Sequence, residues 1–213
     1  MRPILFSFLI AVHAILPAAP HGEEDPKALA RQVVAEINWA RQHPESAAAE
    51  LKVWLPLFEG GRYLAFPGET RLRTEEGPAA VEEAIAFLEK QKPLEPLTWS
   101  PSLAKAAEEL VRDQSARGGV GHGGSDGSTP ESRMDHHARP LGEFGEVATY
   151  GSFGQPPAAR RAVLALIVDD GVKSRGHRAL LFKPGFALAG GAWGPHPRFE
   201  RVVVVDLAEQ VSR

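Results

Sequence analysis

Two adjacent carboxylates, Asp169 and Asp170, are the residues of this sequence that most clearly require a compensating positive charge. The apolar residues before them recur at helical spacing, which puts both side chains at the C-terminal end of a predicted helix. That end of a helix carries partial negative charge, so two carboxylates there require a compensating cation. A bound metal ion, an arginine or a protonated histidine could compensate. In the alternative interpretation, Asp170 caps the turn at Gly171 and Asp169 forms an ion pair with Arg178.

His122 stands in a segment, residues 118–142, that is rich in Gly, Ser, Asp and His. We interpret this segment as a long ordered loop, and loops of that length are usually functional or disordered. Residues 123–127 satisfy the G-x-S-x-G pattern of serine hydrolases, but that elbow needs a strand before the serine and a helix after it. A helix and glycines precede Ser125, which is therefore predicted to be a turn residue. By spacing alone, His122 would be a loop residue bonded to a backbone carbonyl.

The composition excludes several classes of site and partner. The chain of 213 residues contains no cysteine, so it forms no disulfide, thiolate zinc site or cysteine nucleophile. Its net charge is -3 and its basic residues are scattered among acidic ones. Because binding to phosphates needs concentrated Lys and Arg, a nucleic-acid partner is not expected.

The N-terminus has the pattern of a secretory signal peptide, which we assign to residues 1–19. Arg2 precedes an apolar run over residues 4–16, and small residues follow Pro17. The run is shorter than the about 20 apolar residues of a membrane span, and an uncleaved anchor is the alternative. We therefore expect a secreted or periplasmic protein with no membrane span after signal removal.

The remaining chain predicts an α+β domain with helices at the front and strands late. A short polar lead at residues 20–25 precedes a single domain over residues 26–213, with an inserted segment at about 52–95. The inserted segment is expected to be either an extra helical hairpin that narrows a cleft or a surface elaboration. Helices are predicted to begin at Pro26, Ser46, Pro78, Pro101 and Pro157, with a short helical piece over 177–182. Strands are predicted over 145–151, 186–193 and 198–206, with 195–197 in a turn and 202–205 buried on both faces.

Six segments, in order along the chain, resemble the CAP superfamily (cysteine-rich secretory protein, antigen 5 and pathogenesis-related 1 proteins, also called the SCP domain), in its bacterial form. The resemblance runs from about residue 30 to 208. The segments are I-N-W-A-R at 37–41, P-L-T-W-S-P-S-L at 96–103, G-H-G-G-S-D-G-S-T-P at 121–130, G-E-V-A-T-Y-G at 145–151, D-D-G-V-K-S-R-G-H-R at 169–178 and F-A-L-A-G-G-A-W-G at 186–194.

The resemblance implies a three-layer α-β-α sandwich with a small central antiparallel sheet. It also implies a cleft with two histidines, His122 and His177, and two acidic residues, Glu146 and Asp169. Either Asp169 or Asp170 could fill the second acidic position. Val147 departs from the family pattern, which usually has Asn after the glutamate.

The set of two imidazoles and two carboxylates suits a divalent metal such as zinc, bound modestly because no thiolate takes part. Each residue also has a purely structural alternative. His177 could pack against the sheet at a helix start, and Glu146 could bond loop backbone. His136, His137 and His196 are assigned no role.

Two functions are compatible with this resemblance. The first is an extracellular binding or interaction module for a lipid, a glycan or a protein. The second is a metal-dependent, peptidase-like hydrolase, with His122, Glu146 and His177 as catalytic residues and metal-bound water as nucleophile.

Overall fold

The structure, a computed structural model, describes residues 25–154 and 157–212. The predicted signal peptide, residues 1–19, and all of the predicted lead except Asp25 lie outside these residues. The helices are α1 (Pro26–Gln42), α2 (Pro44–Lys52), α3 (Pro78–Leu88), α4 (Pro101–Arg117), α5 (Pro130–Asp135), α6 (Ala158–Val168) and α7 (Gly176–Leu181), with a 3-10 turn at Leu55–Leu57. The strands are β1 (Phe58–Glu59), β2 (Tyr63–Leu64), β3 (Leu72–Arg73), β4 (Thr98–Trp99), β5 (Pro140–Tyr150), β6 (Leu188–His196) and β7 (Glu200–Val211).

The helix starts follow the sequence signals closely. The carboxylate of Asp25 accepts the N–H of Lys27, and the hydroxyl of Ser100 accepts the N–H of Leu103. Each of the helices α1 to α5 has a proline at its first position, where the missing N–H has no intrahelical partner to lose. Helix α2 therefore begins at Pro44, two residues before the predicted start at Ser46. Gly118, with a φ of 71°, ends α4 in the left-handed conformation.

The main sheet has the order β4-β6-β7-β5. Its three long strands are antiparallel, as predicted, and the two-residue strand β4 adds a parallel edge to β6. Strand β6 continues through His196, so the predicted turn at 195–197 begins later than expected.

Helices cover both faces of this sheet and form the three layers of the predicted sandwich. Val203 and Val205 of β7 belong to the core shared with α1 and α6, whereas Val202 and Val204 pack with α4. All four valines are buried, which confirms the prediction for 202–205.

The predicted long loop at 118–142 is wrong in its second half. Helix α5 occupies Pro130–Asp135, and β5 begins at Pro140. Thr129 and Ser132 form a capping box at the start of α5. A helix of six residues is too short to show an apolar period, which explains why the glycine-rich composition obscured it.

The inserted segment contains one helix, α3, and a small antiparallel sheet with the order β1-β2-β3. It is therefore not a helical hairpin. The strands of this small sheet have two residues each, so no alternating pattern could reveal them.

Glycines in β6 allow α4 to lie directly on the sheet. A Cβ at Gly190 would overlap the backbone of Leu103 and Ala104, and one at Gly194 would meet the side chain of Val111. The glycines are therefore required by close packing and not by an unusual backbone angle.

We expect Gly190→Ala to lower the free energy of unfolding by about 1–3 kcal/mol, because the added methyl group must displace helix backbone. Gly123→Ala is the matched control, since a Cβ there meets nothing within 4 Å. Urea denaturation of both variants tests this. Equal stability of the two variants would contradict the packing argument.

Candidate functional site

The structure brings all four predicted site residues together on one side of the domain. Glu146 lies on β5, Asp169 follows the end of α6, His177 lies in the first turn of α7, and His122 lies on the loop after α4. The ring centroids of His122 and His177 lie 5.8 Å apart, and the two ring planes are tilted by 54°. The four residues therefore form a shared site.

Each imidazole is paired with one carboxylate. His122 Nδ1 lies 2.9 Å from Glu146 Oε1, and His177 Nδ1 lies 2.7 Å from Asp169 Oδ1. Both carboxylates are almost fully buried, with 1% of each side chain exposed, whereas the His122 side chain is 44% exposed. We call these the two His–carboxylate pairs. The carboxylates thus lie behind the rings and hold them toward the solvent side of the site.

Within residues 25–154 and 157–212, neither Nε2 atom of these rings has a hydrogen-bond partner. A neutral imidazole that donates from Nδ1 to a carboxylate presents a lone pair at Nε2. Such a lone pair can bind a metal ion or accept a hydrogen bond. In the same described residues, no group of three or more His, Asp or Glu is arranged to hold a metal ion.

Arg133 of α5 completes the first pair. Its Nη2 donates to Glu146 Oε2 at 2.7 Å and to the carbonyl of His122 at 2.9 Å. Only 1% of each side chain in the Arg133–Glu146 ion pair is exposed. Arg133 therefore neutralises Glu146 and fixes the backbone of the His122 loop at the same time. The sequence analysis missed it because α5 was taken for loop.

A closed set of hydrogen bonds also holds the loop that carries His122. Tyr150 Oη donates to Gln114 Oε1 and accepts the N–H of Gly121, while Gln114 Nε2 donates to the Gly121 carbonyl. Gln114 is fully buried. Because Gly121 immediately precedes His122, these hydrogen bonds fix the backbone position from which the His122 side chain extends.

The second pair depends on the unusual backbone of Asp169. Its φ of 56° is left-handed, a conformation that Asp tolerates better than most residues. The turn directs the carboxylate at α7, where Oδ2 accepts the N–H of His177 at 2.9 Å. Asp169 thus binds both the backbone and the ring of His177.

Asp170 has different hydrogen-bond partners from Asp169, although the two residues are adjacent in the chain. Its oxygens accept the N–H groups of Glu75 and Glu76, in the inserted segment. Among the described residues, Asp169 and Arg178 do not form the ion pair of the alternative interpretation. The Arg178 guanidinium instead pairs with Glu83 and donates to the carbonyls of Ile167 and Val168. Arg178 thereby compensates the partial negative charge at the end of α6.

Arg175 fastens the inserted segment to the same turn. Its guanidinium pairs with Glu76 at 2.6 Å and with Glu83 at 2.7 Å. Its hydrogen bonds, with help from the N–H of Gly171, lower the pKa of Glu76 to about 2. We call the contacts of Asp170, Arg175 and Arg178 with residues 75–83 the insertion clasp.

Asp206 is a second residue that sequence reasoning missed, because it stands inside an apolar run. It lies opposite Glu146 in the strand register and is fully buried. Neither of its oxygens has a hydrogen-bond partner among residues 25–154 and 157–212. Burial is the main cause that raises its pKa well above the usual range; the charge of Glu146 adds to this, and Arg133 opposes it.

The other histidines have structural partners. His136 and His137 both contact the carboxylate of Glu109, and His196 contacts the carbonyl of Gly119.

We expect Asp206→Asn to stabilise the protein most at alkaline pH. A carboxyl whose pKa is raised on folding contributes stability below its unfolded pKa of about 4, and that contribution is lost as pH rises through the folded pKa. The gain in free energy of unfolding on substitution should therefore grow between pH 4 and pH 8. Urea denaturation in the presence of a chelator measures it. A variant that is less stable than the original at every pH would show that Asp206 is ionised and paired with Arg133.

Comparison with known proteins identifies one family. The sequence model of the cysteine-rich secretory protein family (CAP) matches residues 34–207. No curated protein matches the chain. Among solved structures, an outer surface protein of Borrelia burgdorferi is 21% identical with a TM-score of 0.46, over 61% of this chain and 88% of that one.

Two longer proteins are also similar in structure. An extracellular protein of Bacillus anthracis that contains an SCP domain is 15% identical, with a TM-score of 0.43, over 61% of this chain and 38% of that one. A cysteine-rich secretory protein of Staphylococcus aureus is 16% identical, with a TM-score of 0.40, over 68% of this chain and 44% of that one. Because the family model covers most of the chain, this protein belongs to the cysteine-rich secretory protein (CAP) family.

Proposed function

We propose that the protein is an exported binding module whose ligand contacts His122 and His177. The observation that carries the proposal is the presence of two His–carboxylate pairs, whose ring centroids lie 5.8 Å apart and whose Nε2 atoms are both unbonded by the described residues. Buried carboxylates that orient solvent-facing imidazoles are a costly arrangement for a surface without a ligand. The apolar pattern of residues 4–16 supports export. Among the described helices, none has the length and apolar character to cross a bilayer.

A divalent cation is one ligand that this donor set fits. His122 and His177 would bind it through Nε2, while Glu146 and Asp169 would orient the rings from behind, an arrangement common around zinc. Two protein ligands leave other coordination positions open, so affinity should be modest, and a bound ion would attract an anionic group of a further ligand.

Binding is favoured over hydrolysis by the engagement of both carboxylates. Glu146 is bonded to His122 and to Arg133, and Asp169 is bonded to the ring and the N–H of His177. A carboxylate can act as the general base only if one of its oxygens lies within hydrogen-bond reach of the proton that it takes. Neither carboxylate offers a free oxygen on the solvent side.

We expect the wild-type protein to bind one zinc ion in calorimetric titration. His177→Ala and His122→Ala should each weaken the affinity at least about tenfold, the lower limit for losing even a residue that only orients a metal ligand. His136→Ala is the matched control, because His136 lies outside the site and contacts Glu109.

Two results would count against the proposal. Zinc binding that is unchanged in both His122→Ala and His177→Ala would remove the metal site. Turnover of peptide substrates by the wild type that is lost in both variants would replace the binding module with a hydrolase.

A further inference from the structure

The inserted segment encloses a cavity of about 370 Å³ beside His177. Its size falls in the range of roughly 300–1,000 Å³ that is typical of small-molecule pockets. One wall comes from β5 and α6, which belong to the family fold, and the other from the inserted segment. The apolar side chains that the inserted segment contributes are Trp54, Phe58, Leu64, Leu72 and Val81. We call this cavity the insertion pocket.

The rim of the insertion pocket exposes apolar surface. Leu72 lines the pocket, yet it is 53% exposed to solvent. An exposed leucine alone is ordinary, but one at the mouth of an apolar cavity provides surface that a ligand can cover. The pocket therefore suits an apolar group.

The polar side of the insertion pocket lies at His177, with Asp169 and Asp170 beside it and Arg73 as the basic residue of the lining. When the neutral His177 ring donates from Nδ1 to Asp169, its Nε2 can accept a hydrogen bond. The two aspartates outnumber Arg73, so the lining favours a neutral or positively charged donor over an anion.

The insertion clasp makes the pocket part of the rigid fold. Asp170 binds two backbone N–H groups of the inserted segment, and Arg175 binds two of its carboxylates. Helix α3 also contributes Val81, Ala84 and Leu88 to the main core. A preformed cavity needs little ordering when a ligand enters, which favours affinity.

We propose that the insertion pocket holds the apolar body of an amphipathic ligand whose amine or hydroxyl head donates a hydrogen bond to Nε2 of His177. The inference extends the proposed function, since the head occupies the same cleft, but the contact of the apolar body is independent of metal. The inserted segment would then select ligands by their apolar body, while the two His–carboxylate pairs bind the polar end.

Calorimetric titration with hexylamine, octylamine and decylamine, in the presence of a chelator at pH 8, tests the apolar contact. Each added methylene that enters the pocket should tighten binding about fourfold. Octan-1-ol tests whether a hydroxyl head serves as well as an amine. Octanoate should bind several-fold more weakly than octylamine, because Asp169 and Asp170 repel its negatively charged carboxylate.

Two substitutions locate the site. Leu72→Gln should weaken octylamine binding roughly three- to tenfold by removing apolar surface at the rim. Thr149→Phe should abolish the dependence on chain length by filling the cavity that Thr149 lines. Val53→Gln is the matched control, since Val53 is 64% exposed on the same segment and does not line the pocket.

Affinities that do not change with chain length, or that fall equally in Leu72→Gln and Val53→Gln, would overturn the proposal. Octanoate binding as tightly as octylamine would overturn the assignment of the head group. The zinc titration is a separate test. If zinc does not bind but amine affinity still depends on chain length, the insertion-pocket proposal stands and the metal site is rejected. If zinc binds but amine affinity does not depend on chain length, only the insertion-pocket proposal is rejected.

Discussion

The buried ion pair of Arg133 and Glu146 joins the parts of the molecule that the site requires. It connects α5 to the central sheet, and the same guanidinium holds the carbonyl of His122. Removing two charges from water is unfavourable unless each charge is paired and its other hydrogen-bonding atoms are satisfied. Glu146 meets that condition by accepting from the Arg133 guanidinium and contacting the His122 ring. The position of the His122 imidazole is therefore tied to an ion pair whose two side chains are both almost fully buried.

The two His–carboxylate pairs reach similar geometry by different local structures. Glu146 projects from a long strand, where alternation along β5 turns its side chain toward α5. Asp169 itself adopts the left-handed conformation in the turn between α6 and α7. This conformation lets its carboxylate accept a hydrogen bond at the start of α7. The first pair is held by the sheet and α5, and the second by the turn between α6 and α7. A change in either support should affect one ring more than the other.

Much of the fold was predictable, because strong local signals mark its helices. Asp25-Pro26 and Ser100-Pro101 are helix starts that depend only on neighbouring residues. The grouping of His122, Glu146, Asp169 and His177 came from the resemblance to the family and not from periodicity, since these residues are far apart along the chain.

The missed features share a physical cause. Arg133 lies on a helix of six residues. Asp206 lies in a strand, and the residues next to it along the chain are apolar. In both cases the importance of the residue comes from a distant partner, Glu146, that no local pattern reveals. The three strands of the inserted segment were missed for a similar reason, because their order depends on pairing across loops.

The insertion clasp implies that the wall of the insertion pocket and the two His–carboxylate pairs can change separately in this protein. The inserted segment is joined to the turn before α7 at few points, through Asp170, Arg175 and Arg178. Substitutions over residues 58–73 would reshape the wall that meets a ligand without touching the contacts that hold either imidazole. Descendants of one ancestral scaffold could thus acquire new preferences through this segment while the histidines stay fixed.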